Sequence, residues 1–288
     1  MTPHAPHILI VDGYPVADRE NLAGCGMGTA GDLYAQMLSS LCPNASFEIV
    51  FPSDPGTHLP DGAGLENFDG VAWTGCSLTL HDATDKRVLR HIELAREAFR
   101  VGVPQYGTCW GIQIAAVAAG GTVAANPGGR EMGIARKITL NATGRGHPLY
   151  ENKPTTFDGY VSHFDEVTHV PPGADVLAGN AFTRVQALTV HQDKGTFWGL
   201  QYHPEYDLYQ MARLMSARRV ALLKEGFFSS EENVVSMVES FETLHKNPDD
   251  KALAWQWGVE ADLLIDAVRH TEPRNWLERL VIPKMQGS

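Results

Sequence analysis

Residues 104–121 read PQYGTCWGIQIAAVAAGG, and the fold turns on how that stretch is understood. VPQYGT (103–108) has the character of a short buried strand. WGIQIAAVAAGG (110–121) has that of a helix closed by two glycines. A strand that runs straight into a helix through Gly107, Cys109 and Gly111 makes a sharp turn and leaves the cysteine on a strained corner above the sheet. The two glycines leave room where a Cβ would collide with a neighbouring strand or helix. Two chemical effects follow. The positive end of the helix favours thiolate over thiol at Cys109. The N–H of Trp110 has no partner inside the helix and is free to meet an oxyanion. A small cysteine buried at a tight packing point would account for the same residues, so the chemistry depends on what else the chain supplies.

Outward from the turn, elements alternate. HILIVDG (7–13), FEIVFP (47–52) and FDGVAWTG (68–75) are short apolar runs with strand character. TAGDLYAQMLSSL (29–41) and DKRVLRHIELAREAFRVG (85–102) carry apolar residues at helical spacing. HDATD (81–85) reads as N-capping ahead of the second helix. This order predicts a three-layer α/β fold with a mostly parallel central sheet. From about 121 to 205 short β-like runs dominate, and 207–228 is a long helix. Residues 229–288 open with Ser229 and Glu232 at capping-box spacing and hold Trp255, Trp257 and Trp276. Such side chains need something to bury against. The expected division is a catalytic domain over 1–228 and a helical C-terminal extension over 229–288, packed on the domain or on a partner.

Composition narrows the class. The 288 residues carry a net charge of −11 with no block of Lys or Arg, which disfavours nucleic acid and anionic membranes as partners. No apolar run approaches a bilayer span, and the N-terminus lacks a signal-peptide pattern, so a cytoplasmic location is expected. The four cysteines have no metal-type spacing and read as free thiols. GCGMG (24–28) is not a dinucleotide fingerprint and no P-loop lysine is present, so neither a cofactor nor a metal is expected. Cys25 in that loop is a candidate for approaching the site.

A thiolate used in acyl transfer needs a base, usually a histidine held by a third group. Strand alternation through GLQYHPEYD (199–207) puts Gln201, His203 and Glu205 on one face and Tyr202 and Pro204 on the other. The carboxylate would then fix the imidazole tautomer. An ordinary exposed strand end would look similar.

YGTCWGIQ followed 94 residues later by GLQYHPE (203 − 109 = 94) resembles the class I, triad-type glutamine amidotransferases, in particular free-standing members similar to the glutaminase domain of GMP synthase. The similarity runs over roughly 7–225. It implies a flavodoxin-like α/β fold with Cys109 as nucleophile, His203 as general base and acid, and Glu205 as the orienting carboxylate. It implies a second oxyanion donor near Gly75 in WTGCS, beside Trp110, although the wording departs from the family's Gly-Gly-Pro. It implies Gln113, Ser162, His163 and Phe164 as contacts to the amino-acid end of the substrate. The activity implied is hydrolysis of glutamine or another γ-glutamyl amide through a γ-glutamyl thioester. The label of amidotransferase is preferred because it rests on motifs. A stand-alone hydrolase of γ-glutamylated amines is the alternative, and a non-catalytic binding protein on the same scaffold a further one. Candidate partners are a small-molecule substrate, a separate synthase subunit, and a second copy of the chain through the extension.

Overall fold

The computed structural model describes residues 5–81 and 84–287. Its strands are β1 (His7–Val11), β2 (Ser46–Val50), β3 (Gly70–Trp73), β4 (Gln105–Thr108), β5 (Thr122–Ala125), β6 (Glu131–Leu140), β7 (Thr156–His163), β8 (Asp165–His169), β9 (Ala174–Gly179), β10 (Ala187–Gln192) and β11 (Gly195–Leu200). Among the described residues, nine strands form one sheet in the order β2-β1-β3-β4-β11-β10-β9-β6-β7, and β5 pairs with β8 separately. The run β2-β1-β3-β4-β11 is parallel. Antiparallel pairing begins at β11–β10 and continues to β7. The change of sequence texture after residue 121 marks this antiparallel wing.

Alternation along β1 shows why three layers form. Ile8 and Ile10 pack with Tyr34, Met37 and Leu38 of the helix Ala30–Leu41. Leu9 and Val11 face the opposite way, into the cluster with Val88, Ile92 and Phe99 of the helix Lys86–Val101. A parallel strand buried on both faces needs an apolar residue at every buried position, and Ile8–Val11 supplies it after the half-buried His7. The Lys86–Val101 helix starts where the Asp85 side chain accepts the Arg87 N–H and stops at Gly102, whose φ of 83° is left-handed. Asp82 and Ala83 of the capping stretch lie outside the described residues.

Three local expectations change. The helix Val16–Gly24 gave no signal, because Leu22 alone among its residues is buried and no apolar stripe forms. The long helix spans Leu208–Lys224 and ends before Gly226, whose φ is 74°. The next helix, Glu231–Lys246, is capped by Ser230 through the Asn233 N–H, one residue later than the capping-box reading from Ser229.

Residues 229–287 fold back onto the sheet and its flanking helices. Helix Glu231–Lys246 packs along Leu208–Lys224, with Phe241 and Leu244 buried. Trp276 is fully buried and stacks at a tilt on Tyr106 of β4, ring centroids 5.6 Å apart. It fills the space over Gly70 of β3, where a Cβ would stand 2.8 Å from its ring. Trp257 is half-buried, edge-on to Phe241. Trp255 is 86% exposed, so the expectation that all three tryptophans bury fails there. Trp276→Ala is therefore expected to cost about 3–5 kcal/mol in urea unfolding, and Trp255→Ala within about 0.5 kcal/mol of zero. Equal losses would contradict the packing described.

Candidate active site

In a parallel sheet, loops leaving the carboxyl ends of the strands gather at one end. Here Asp12 and Gly13 follow β1, Thr74–Cys76 follow β3, Cys109 follows β4, and 201–205 follow β11. Cys109 has φ 52° and ψ −97°. A non-glycine residue in such a conformation costs on the order of 1–3 kcal/mol, so its surroundings must impose it. They do. A Cβ on Gly107 would lie 2.8 Å from Trp73 Cβ, and one on Gly111 would lie 2.9 Å from the same atom. The elbow is thus pressed onto a fully buried tryptophan. The Cys109 N–H donates to Leu200 O at 2.7 Å, tying the elbow to the end of β11.

The strand β11 stops at Leu200, so residues 201–205 are not the strand extension that alternation suggested. Gln201 N–H instead bonds Gln186 O, and His203 N–H bonds Tyr160 O. His203 and Glu205 still meet, with Nδ1 2.6 Å from Oε1. The Glu205 Oε1 also accepts the Thr108 hydroxyl at 3.0 Å. That donation uses the only proton on Thr108, so the hydrogen bond of 2.7 Å between Tyr34 and Thr108 has Tyr34 as donor. His203 stacks on Tyr206, centroids 4.2 Å apart. Its Nε2 has no hydrogen bond of normal geometry among the described residues. Burial opposes charge on the imidazole, but the Glu205 carboxylate and the nearby Cys109 outweigh it and raise the ring to about 9.

Gly75 closes the third side. A Cβ there would stand 3.0 Å from His203 Cε1 and 3.8 Å from Cys109 Cβ. Among the described residues, no hydrogen bond is made by the N–H groups of Gly75, Cys76 or Trp110. Thr74 braces this loop, accepting the Gly13 N–H and donating to Gly75 O at 2.8 Å. Cys76 Sγ donates to Gly13 O at 2.9 Å, and burial pushes its thiol well up. Cys25 ends the Val16–Gly24 helix and does not line the cavity; Cys76 does.

A cavity of about 530 Å³ opens over Cys109, with Gln113, Arg130, Ser162, Phe164 and Arg218 in its walls. Gln113 Nε2 donates to Asp165 O at 2.9 Å and to Gln201 Oε1 at 3.3 Å. Ser162 O lies 3.8 Å from Cys109 Sγ, and its hydroxyl accepts from Arg218. Both His163 nitrogens are occupied, by Asp165 O at 2.8 Å and Glu131 Oε2 at 2.9 Å. Burial would raise the Glu131 carboxyl, but His163 and the amides of Asn180 and Gln186 hold it below its ordinary range. His163 therefore fixes the end of β7, with no nitrogen left for a ligand. Phe164 is half-exposed, with the Arg130 guanidinium 5.7 Å from its ring.

Sequence reasoning missed several neighbours. Thr108 was legible in principle, since it precedes Cys109 in the elbow; Tyr34, Arg218 and the 229–287 segment were not. That last segment grips both sides of His203. Arg269 Nε donates to Pro204 O at 3.1 Å. Tyr202 OH donates to Glu272 Oε1 at 2.5 Å, and the other oxygen of Glu272 pairs with Lys153 Nζ at 2.9 Å. Among the described residues no helix is long and apolar enough to cross a membrane.

The model of the family described as glutamine amidotransferase class-I matches residues 77–220. A gamma-glutamyl-L-1-hydroxyisopropylamide hydrolase from Pseudomonas sp. is 33% identical over 287 residues, covering 96% of this chain and 93% of that protein. A GMP synthase [glutamine-hydrolyzing] from Streptomyces avermitilis is 38% identical over 39% of this chain and 20% of its own length. Among solved structures, a glutamine amidotransferase from Thermotoga maritima superposes with a TM-score of 0.66 at 18% identity, covering 96% of this chain and 99% of that one. The chain belongs to the class I glutamine amidotransferase family, and its chemistry is amide hydrolysis of that type.

The His203–Glu205 geometry makes a titration prediction. By NMR, His203 is expected to titrate near 9, and Glu205→Gln is expected to bring it down by removing the charge that opposes burial. Because the folded value is raised above the unfolded one of about 6.5, the contact's stabilisation is complete below about 6.5. It disappears as pH climbs through about 9. A ring that titrates near 6.5 with or without Glu205 would contradict this.

Proposed function

We propose that this chain hydrolyses γ-glutamyl amides by itself, through a Cys109–His203–Glu205 triad. Support comes first from the one end of the sheet where a cysteine held at φ 52° meets the buried imidazole–carboxylate pair. The Pseudomonas hydrolase adds to it, since its similarity extends through the C-terminal residues, whereas the GMP synthase match stops at 39% of the chain.

Each group has a task in such a reaction. Cys109 Sγ, as thiolate, adds to the amide carbon. The oxygen that takes up the charge meets the N–H of Trp110 and a second donor in the Gly75 loop. His203 Nε2 gives its proton to the departing nitrogen, the C–N bond breaks, and a γ-glutamyl thioester remains. Water then adds to the thioester carbon and passes a proton to His203. The C–S bond breaks, and glutamate leaves with thiolate and imidazolium restored. Glu205 holds Nδ1 and so presents Nε2 to the reacting atoms. Thr108 and Tyr34 orient Glu205 in turn. Gln113, Ser162 and Phe164 line the place for the acyl half.

Ammonia supply to a separate synthase is a second reading, favoured by the GMP synthase match. One assay separates the two. Glutamate release is followed with a γ-glutamyl arylamide and with L-glutamine, using Cys109→Ala as control. Fast arylamide turnover that vanishes in Cys109→Ala, with weak glutaminase activity, is expected. Strong glutamine hydrolysis, or activity only with an added synthase, would favour the second reading. Turnover that survives Cys109→Ala would remove the mechanism. Gly75→Ala, whose methyl would press on His203 Cε1 at 3.0 Å, is expected to lower kcat by about 10²–10³-fold. An unchanged kcat would take Gly75 out of the reacting centre.

A further inference from the structure

Among the described residues, the acidic and basic side chains of the cavity wall have close partners of opposite type, except Arg218. Arg130 forks onto Glu225, with contacts of 2.7 and 2.9 Å. His81 Nε2 lies 3.3 Å from Asp165 Oδ1, and the other Asp165 oxygen accepts the Thr79 hydroxyl at 2.8 Å. Among the described residues Arg218, from the helix Leu208–Lys224, makes its side-chain hydrogen bonds to hydroxyls, and its charge reaches Glu225 without direct pairing. It donates to Ser162 Oγ and lies 3.5 Å from Tyr14 OH. Among the described residues it has no ion pair with a carboxylate. A half-buried guanidinium with no direct carboxylate contact, in the cavity that holds the cysteine, is suited to receive an anion.

The guanidinium and the sulfur bear on the same groups. Ser162 touches both, Arg218 through its hydroxyl and Cys109 Sγ through its carbonyl at 3.8 Å. Tyr14 lies within the field of both; burial pushes its hydroxyl up, Arg218 draws it down, and Cys109 adds to the rise. In a γ-glutamyl amide the leaving amine varies, but the acyl half always carries an α-carboxylate. In an extended glutamyl chain that group sits about 5 Å from the amide carbon. We propose that Arg218 receives the α-carboxylate of the substrate and so selects γ-glutamyl over other acyl groups. This rests on the γ-glutamyl amide hydrolase reading above.

Three arylamides with one leaving group test it. The γ-glutamyl amide has both α-substituents, the glutaryl amide keeps only the carboxylate, and the 4-aminobutyryl amide keeps only the amine. The wild-type chain is expected to lose about 10²-fold in kcat/KM on the 4-aminobutyryl amide, mostly through KM. Arg218→Met is expected to lose about 10²-fold on the γ-glutamyl and glutaryl amides, with less than about a twofold change on the 4-aminobutyryl amide. Arg218→Lys should recover part of the loss, since it restores charge but not the fork. Equal losses on all three amides, or none on any, would overturn the assignment. Calorimetry in the Cys109→Ala background decides the question without turnover. L-glutamate should bind more tightly than 4-aminobutyrate, and Arg218→Met should abolish the difference. If no arylamide is turned over by the wild type, the hydrolase reading fails, while the calorimetric comparison still judges Arg218. Unchanged glutamate binding in Arg218→Met, or no glutamate binding in either background, would overturn it.

Discussion

A cysteine at φ 52° is the constraint on which the site depends. L-residues avoid that conformation, and an isolated strand–helix junction would relax out of it. It persists because Trp73 occupies the space that side chains at 107 and 111 would need, and because Leu200 O takes the Cys109 N–H. The second of these ties also fixes the partner residues. Since β11 runs parallel to β4 in register, with Leu200 opposite Thr108, the two strands end together. The chain leaving β11 therefore passes beside the cysteine, and His203 arrives three residues later. One packing decision at Trp73 thus sets both halves of the site.

Much of this was legible because the relevant signals are local. The G-x-C-x-G turn names its own geometry: the two glycines mark close approach and the cysteine marks the strained position. The apolar run at 7–11 and the amphipathic period at 86–101 fixed the layers, since each burial pattern has one stable partner surface. His203 and Glu205 were picked out by a strand alternation that does not exist there, yet they meet. Tyr202 and Pro204 are pulled towards Glu272 and Arg269, and the intervening side chains turn the other way. Tyr34, Arg218 and Glu272 were not legible, because each reaches the site from a distant helix whose own period says only that the residue lies on a face. Trp255 shows the opposite error: a tryptophan carries a large apolar area, but on the short helix Lys251–Trp257, where Ala254 is the buried residue, it stands on the face turned to solvent.

The segment beyond residue 228 has a physical connection to the site. Glu272 is fully buried and would be costly there without Lys153 and Tyr202. Pairing it makes the position of Tyr202 non-negotiable. Arg269 does the same for the carbonyl of Pro204. His203 sits between these two anchored residues, so its freedom to rock away from Cys109 is set by contacts from the far end of the chain. A similarity to the Pseudomonas hydrolase that runs through this segment, beyond the matched 77–220 region, fits such a dependence.

Electrostatics at two ranges then act against each other. The chain carries a net charge of −11, which disfavours the approach of any anionic substrate. At physiological salt that repulsion fades over a Debye length of about 8 Å, so it acts mainly on encounter. Inside the cavity the balance reverses. Among the described residues Arg218 has no direct carboxylate pair, while the nearby carboxylates contact Arg130, His81 and His203. A zwitterionic α-amino acid head presents little net charge at long range and a full carboxylate at contact. The role proposed for Arg218 would therefore place discrimination at the short range where a γ-glutamyl group differs from a neutral amide.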